Sequence, residues 1–166
     1  YYNGRLDDFR VSNKAVYTGA SFSTPSSQFD YSYATTQGGF KDLARNNTVT
    51  KNGDAKLNTS VKKFGTSSLY LDGTTDRLVV DHGGELNLSD GDFTIEGWFY
   101  FTSNATARIF HGEEGSGTYS PWLLYTTSGG AIQFYATSNY SSWDVVSGAS
   151  LGTVSLNTWT HLAVTR

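Results

Sequence analysis

Alternation of apolar and polar residues, with a period of two, is the dominant pattern along this chain. It is clearest in FTIEGWFYF, residues 93–101, where Phe93, Ile95, Phe99 and Phe101 share one parity with Gly97. The other parity carries Thr94, Glu96, Trp98 and Tyr100. Because successive side chains of a strand point to opposite faces, the segment predicts a strand with one face on a core. The second face is predicted to meet solvent or a ligand.

Other segments carry the same strand signal and are separated by turns rich in glycine. They are residues 5–11, 67–71, 77–80, 108–111, 122–125, 131–136, 143–146 and 159–165. Further strands are expected on both sides of the turn dipeptide Asn52-Gly53. No window repeats apolar residues at helical spacing for more than a turn. The predicted fold class is all-β, with two antiparallel sheets packed face to face as a β-sandwich.

The length and net charge of the chain limit the classes of partner that it is expected to bind. A chain of 166 residues is long enough for one medium-sized core. Its 12 basic and 15 acidic residues give a net charge of −3, which offers no general attraction for a phosphate backbone. No apolar run approaches the roughly twenty residues that cross a bilayer. We therefore expect neither a nucleic-acid partner nor membrane insertion.

Three stretches, taken in order, resemble a known module. KFGTSSLYLDGTTDRLVV, LNLSDGDFTIEGWFYF and LNTWTHLAVTR are similar to the front two thirds of a laminin G-like, concanavalin A-like lectin module, as in phage fibre and bacterial surface proteins. The opening stretch, YYNGRLDDFRVSNKAVYTGASFSTPS, resembles the final strand and exit of the same module. The resemblance implies a jelly-roll sandwich. In that family the closing strand comes last, whereas here it comes first.

This order leads to a hypothesis on domain organisation. Residues 1–24 are interpreted as the closing strand segment of such a module, residues 25–34 as a linker, and residues 35–166 as the front part of a module. The closing segment could belong to a preceding repeat, could be joined from another module, or could be permuted and fold back into the sheet of residues 35–166. Neighbouring repeats or copies of the chain are expected to complete the sheets.

Aromatic residues gather in a polar segment and suggest a glycan surface. Sugars stack their C–H faces on rings while their hydroxyls bond amides and carboxylates. The predicted carbohydrate-binding residues are Tyr119, Tyr125, Tyr140, Trp143 and Asp144. The alternative is that these rings fill the space between the sheets. For Tyr140 and Trp143 both interpretations stay open, whereas Trp98, Trp122 and Trp159 are expected in the core.

A calcium site is implied by the resemblance, because relatives of this fold often hold calcium at acidic loops. Asp72 and Asp76 in LDGTTD are the predicted ligands, with backbone carbonyls adding oxygen atoms. The alternative is that each carboxylate accepts bonds from the backbone of its own turn.

Catalysis is not expected. Glu113 and Glu114 are adjacent in a glycine-rich loop, where neighbouring side chains tend to point apart, whereas glycoside hydrolysis needs two carboxyl groups facing one bond. The Glu-x-Asp-x-x-Glu strand of the related glucanases is absent from this sequence. His161 has no partner at metal-ligand spacing and is interpreted as a packed strand residue.

These observations lead to one functional hypothesis and one alternative. The hypothesis is a non-enzymatic binding or adhesion module that recognises a glycan or surface polysaccharide. It would act within a repeated protein that is extracellular, on a cell surface or on a virion. The alternative is a purely structural module that assembles or decorates a fibre, capsid or filament through contacts with its own copies.

Overall fold

The computed structural model describes residues 1–29, 47–81, 88, 91–112 and 119–166. These residues form strands and no helix. The strands are β1 Asn3–Ser12, β2 Thr48–Asn52, β3 Lys56–Asn58, β4 Ser68–Asp72, β5 Arg77–Asp81, β6 Thr94–Phe101, β7 Ala107–His111, β8 Trp122–Thr126, β9 Ala131–Ala136, β10 Val146–Thr153 and β11 Trp159–Thr165.

Two larger antiparallel sheets build the fold. One has five strands in the order β11-β6-β1-β4-β3, the other has four in the order β10-β9-β8-β7, and a separate ribbon pairs β2 with β5. Phe99 and Phe101 of the first sheet share a core with Leu124 and Ile132 of the second. All four side chains are at most 3% exposed. The predicted all-β, two-sheet jelly-roll sandwich is confirmed.

The N-terminal strand lies in the middle of the five-stranded sheet. β1 pairs with β4 on one side and with β6 on the other, so that Arg5 lies opposite both Tyr70 and Tyr100. The first residues of the chain therefore share a sheet with residues 93–101. The domain boundaries at 24/25 and 34/35 stay predictions, and residues 30–34 of the linker lie outside the described residues.

A β-bulge in β1 attaches two loops to the sheet. The register shifts between Asp7 and Arg10, and Asp8 takes a φ of 52°, which a short polar side chain tolerates. Asp7 accepts the backbone N–H groups of Lys63 and Phe64 at 2.8 and 3.1 Å. Asp8 accepts that of residue 29 at 2.8 Å. The two consecutive carboxylates thus hold two separate segments against one strand.

The outer face of β6 is covered, contrary to the sequence prediction for its second face. Residues 13–29, here called the strap, follow β1 and cross this face. Val16 donates its backbone N–H to the Thr94 hydroxyl at 2.8 Å, and Phe22 lies edge-on to the ring of His161. Glu96 is only 1% exposed. The prediction was wrong here because the covering residues come from a segment distant in sequence.

Glu96 is the centre of a buried polar cluster under the strap. Arg10 binds one carboxylate oxygen through two of its nitrogens, and Tyr17 of the strap donates its hydroxyl to the other. His161 Nε2 lies 3.2 Å from Glu96 Oε2, within ion-pair distance but away from the direction of a hydrogen bond. His161 is thus a packed strand residue, as expected.

The same cluster shifts two pKa values. Burial opposes ionisation of Glu96, but the proximity of His161 and the hydrogen bonds from Tyr17 and Arg10 outweigh it and lower the pKa of this carboxyl. Burial and the bond to Glu96 raise the pKa of Tyr17 to about 12. Glu96 is therefore held as a carboxylate and Tyr17 as a neutral donor.

The strands predicted on both sides of Asn52-Gly53 are present as β2 and β3, but they do not pair with each other: β2 pairs with β5 and β3 with β4. One local prediction differs from the structure. The strand predicted at 143–146 begins only at its last residue and continues to Thr153. Its register against β9 shifts twice, near Gly148 and Gly152, which hides the alternation in the sequence.

Replacing Glu96 tests the role of the cluster in stability. Glu96→Gln should lower the free energy of unfolding by about 2–4 kcal/mol, because Arg10 loses its carboxylate partner in a mostly buried site. The measurement is urea unfolding followed by tryptophan fluorescence.

Tyr17→Phe is the matched control for this prediction. It removes one hydrogen bond to the same carboxylate and should cost only about 1 kcal/mol. Equal losses for the two variants would show that the ion pair does not dominate the cluster.

Candidate functional site

Alternation in two neighbouring strands builds the solvent-facing surface of the four-stranded sheet. In β8 and β9, Trp122, Leu124, Ile132 and Phe134 point into the core and are at most 4% exposed. The residues between them point outward, and these include the half-buried Tyr125 and Tyr135. Trp122 thus lies in the core, as expected. The same expectation was wrong for Trp159, which is half-buried on the outer face of the five-stranded sheet, and Trp98 is buried on that outer face and not between the sheets.

Four aromatic rings form a continuous row on this surface. Trp143 lies with its ring centroid 5.0 Å from that of Tyr119 and 5.2 Å from that of Tyr135. Tyr135 in turn lies 6.3 Å from Tyr125, nearly perpendicular to it. Three of the predicted carbohydrate-binding residues therefore come together: Tyr119, Tyr125 and Trp143. We call these three and Tyr135 the ring row.

Asp144 shapes the loop that carries Trp143. Its carboxylate accepts the Thr137 hydroxyl at 2.9 Å and both the backbone N–H and the hydroxyl of Ser138. The bonds from Ser138 have the largest effect, and that from Thr137 adds to it. Together they lower the pKa of the Asp144 carboxyl from 3.8 to about 2. The carboxylate closes residues 137–144 into a loop, and Trp143 precedes it directly. In this structure Asp144 positions the loop.

Tyr140 occupies the tip of the same loop. It is 48% exposed and takes a φ of 56°, a conformation that non-glycine residues rarely adopt. Its backbone N–H bonds the Thr137 hydroxyl at 3.1 Å, which holds this conformation. Tyr140 lies on the surface and makes no ring contact with the ring row within the described residues. Its side chain is available to a partner that approaches the loop.

Tyr135, the central ring of the row, belongs to the same aromatic group in the sequence but was not among the predicted carbohydrate-binding residues. Its hydroxyl donates to Gln133 at 2.8 Å, on the same outer face of β9. Gly148 of β10 lies against it, and a Cβ at Gly148 would come within 3.2 Å of the Tyr135 hydroxyl. The alternation Gln133-Phe134-Tyr135 was the signal that could have identified Tyr135 as outward-facing.

The predicted calcium ligands are engaged with the backbone. Asp76 is 3% exposed and accepts the N–H groups of Asp54 and Asp72, the latter at 2.9 Å. Asp72 accepts the N–H of Thr74 at 2.7 Å. These backbone donors occupy part of the lone-pair capacity of both carboxylates, which is the arrangement given above as the alternative to calcium binding. The calcium hypothesis stays a prediction.

Gly53 completes this turn. It has a φ of 69°, and a Cβ there would lie 2.4 Å from a carboxylate oxygen of Asp76. Only glycine combines that backbone conformation with such a close approach. Gly53 and Asp76 therefore fix the start of β3 beside the end of β4.

Within the described part of the chain, no three His, Cys, Asp or Glu side chains converge as metal ligands. The Glu113 and Glu114 pair, excluded above as a catalytic pair, lies outside the described residues. No helix that could span a bilayer occurs among the residues that the structure describes.

A comparison with protein families agrees with the β-sandwich fold described above. A laminin G-type model of the concanavalin A-like lectin/glucanases superfamily matches residues 72–166, more than half of the chain. The chain belongs to this superfamily. Members of the superfamily include both lectins and glucanases, as its description states. No curated protein and no solved structure matches the chain.

The residues that match the superfamily model form only part of the fold. It begins at Asp72, the last residue of β4, and includes the whole ring row. β1 and the strap lie outside the matched residues. Their place in the module rests on the pairing of β1 with β4 and β6.

Asp76→Ala tests whether this carboxylate acts through the backbone. The substitution leaves two N–H groups without their acceptor and should lower the free energy of unfolding by about 2–4 kcal/mol. Asp72→Ala removes a single turn bond and should cost less than about 1 kcal/mol. Thermal melts are recorded for both variants and for the parent protein.

Each melt is repeated with calcium and with a chelator. If Asp76 acts through the backbone alone, the melting temperature of the parent is the same in both conditions. A chelator-sensitive parent together with a chelator-insensitive Asp76→Ala variant would instead assign this carboxylate to a bound ion.

Asp144 makes the loop at residues 137–144 sensitive to acid. Because its folded-state pKa of about 2 lies below its ordinary value of 3.8, its stabilisation is complete above about pH 4. This contribution is lost as the pH falls through 2. We expect the indole NMR signal of Trp143 to shift over this interval, measured while the far-UV circular dichroism is still native.

Asp144→Asn is the control for the acid transition. It cannot ionise, so its Trp143 signal should resemble that of the acid form at every pH. An unchanged acid transition in this variant would rule out Asp144 as its origin.

Proposed function

We propose that this module binds carbohydrate without catalysis, through the outer face of its four-stranded sheet. The ring row is the observation that carries the proposal. Its successive centroids lie 5.0, 5.2 and 6.3 Å apart, and all four of its rings are partly exposed. Rings in this arrangement offer adjoining apolar surfaces for the C–H faces of a sugar chain.

Polar groups around the rings match the hydroxyls of a sugar. Gln133 lies beside Tyr125 and Tyr135, and Arg108 of β7 lies opposite Tyr125 in the register. The loop at residues 137–144 adds hydroxyl and amide groups next to Trp143. Binding sites of this kind use apolar contact for affinity and a few fixed polar groups for orientation.

The chemistry of the surface favours binding over hydrolysis. Glycoside hydrolysis commonly uses two carboxyl groups that flank the scissile bond. In residues 119–153, which form most of this surface, the sequence has a single acidic residue, Asp144. Its carboxylate is already bonded to the loop. We therefore assign Asp144 a positioning role and the surface a non-enzymatic one.

The proposal also concerns where the module acts and which kind of molecule it binds. A module of this superfamily with a glycan-binding face is suited to adhesion outside the cell, on a cell surface or on a virion, with a surface polysaccharide as its partner. Neighbouring repeats or further copies of the chain would multiply weak contacts along one polysaccharide.

A glycan array followed by calorimetry tests the proposal. The 166-residue chain should bind a defined subset of glycans. Trp143→Ala should weaken binding at least about tenfold, because it removes the ring that joins Tyr119 to Tyr135. Tyr140→Ala measures whether the exposed loop tip adds to the site, and the double variant should lose the array signal.

Trp159→Ala is the matched control, since this half-buried tryptophan lies on β11 of the opposite sheet. It should leave the binding of uncharged glycans on the array unchanged. Regular self-assembly without any glycan signal would support the structural alternative. Near-UV circular dichroism of each variant checks that the fold is retained.

A further inference from the structure

One residue from each strand of the five-stranded sheet forms a straight row across its outer face. The register places Trp159 opposite Tyr100, Tyr100 opposite Arg5, Arg5 opposite Tyr70, and Tyr70 opposite Lys56. We call these five residues the cross-strand row. With strands about 4.8 Å apart, four steps make the row about 19 Å wide. Four of its members are half-buried and Lys56 is exposed.

Contacts within the row alternate between rings and cations. The Arg5 guanidinium carbon lies 5.1 Å from the ring centre of Tyr70 and 5.3 Å from that of Tyr100. Lys56 Nζ lies 5.6 Å from Tyr70, and Trp159 packs on Tyr100 at 5.4 Å. The two tyrosines hold the guanidinium in place, so little side-chain freedom remains to be lost when it binds a ligand.

The two arginines on the outer face of β1 differ in their partners. Arg10 is paired with Glu96 and lies under the strap, with its guanidinium over the ring of Phe29. Arg5 has ring contacts but no carboxylate partner among the described residues, and its buried Nε makes no hydrogen bond there. Arg5 thus keeps donors for an anion that the fold itself does not supply.

Charges around the row are mixed. Lys56 is paired with Asp54 at 3.0 Å, and Asp72 lies two residues from Tyr70. Lys63 lies over the neighbouring Trp98, with Nζ 4.0 Å from its ring centre. The surface therefore suits a ligand whose negative charges are widely spaced, with one of them placed at Arg5.

We propose that the cross-strand row is a second binding site, for an extended acidic polysaccharide. A guanidinium binds a carboxylate or sulfate group through two parallel hydrogen bonds. The flanking rings of Tyr100 and Trp159 would stack on sugar C–H faces. This site lies on the opposite sheet from the ring row and does not depend on the function proposed for it.

A single-stranded nucleic acid is the competing ligand, because such chains also bind rings and cations. It carries one charge per nucleotide and needs a continuous cationic groove. Here Asp54 and Asp72 flank the row, and the chain has a net charge of −3. The sparse charge favours the polysaccharide.

Calorimetry with four polymers tests the proposal on the 166-residue chain. Hyaluronate supplies one carboxylate per disaccharide and kappa-carrageenan one sulfate per disaccharide, so that both carry widely spaced charges. Neutral dextran is the uncharged control, and oligo-dT represents nucleic acid. We expect binding of an acidic polysaccharide that weakens with salt. Arg5→Gln and Trp159→Ala should each weaken it about tenfold or more.

Trp143→Ala separates this site from the ring row, since the loss of affinity caused by Arg5→Gln should be equally large with and without this substitution. If Arg5→Gln does not fold, a double variant that combines Lys56→Gln with Trp159→Ala is measured instead. These two residues are the end members of the cross-strand row. Absence of binding to both acidic polysaccharides, unchanged binding by the row variants, or equal affinity for oligo-dT would each overturn the proposal.

Discussion

The insertion of β1 between β4 and β6 is the constraint on which the five-stranded sheet depends. This strand satisfies the backbone groups of two neighbours at once, and its absence would leave two open edges in the middle of the sheet. Its inner face adds Leu6 and Phe9 to the core, and its outer face carries Arg5 and Arg10. The strap continues directly from its end, so the cover over Glu96 also depends on it.

Carboxylates that accept backbone N–H groups organise the loops. Asp7 and Asp8 hold two segments to β1, Asp76 joins two turns, and Asp144 closes the loop that carries Trp143. The chain has no cysteine and hence no disulfide that could do the same. Charge-assisted hydrogen bonds are stronger than neutral ones, which explains why a few buried or partly buried acids can order long loops.

The two sheets present different chemistry to their surroundings. On the four-stranded sheet, aromatic rings adjoin one another and the nearby acid is used by the loop. On the five-stranded sheet, a guanidinium separates two tyrosines, and an ion-paired lysine lies on the far side of one of them. The first surface is suited to the apolar faces of sugars, the second to sugars that also carry negative charge.

The sequence by itself determined the fold class and most strand positions, since the segments predicted at 131–136 and 159–165 coincide with β9 and β11. The sequence also identified Tyr119, Tyr125 and Trp143 as candidate binding residues. The tertiary structure decided the rest: the central place of Tyr135, the loop role of Asp144, the cover over Glu96 and the row around Arg5. Alternation is a local signal that shows which residues share a face. Whether that face is covered depends on partners as distant as Arg10 and Glu96, 86 residues apart, and no local pattern encodes them.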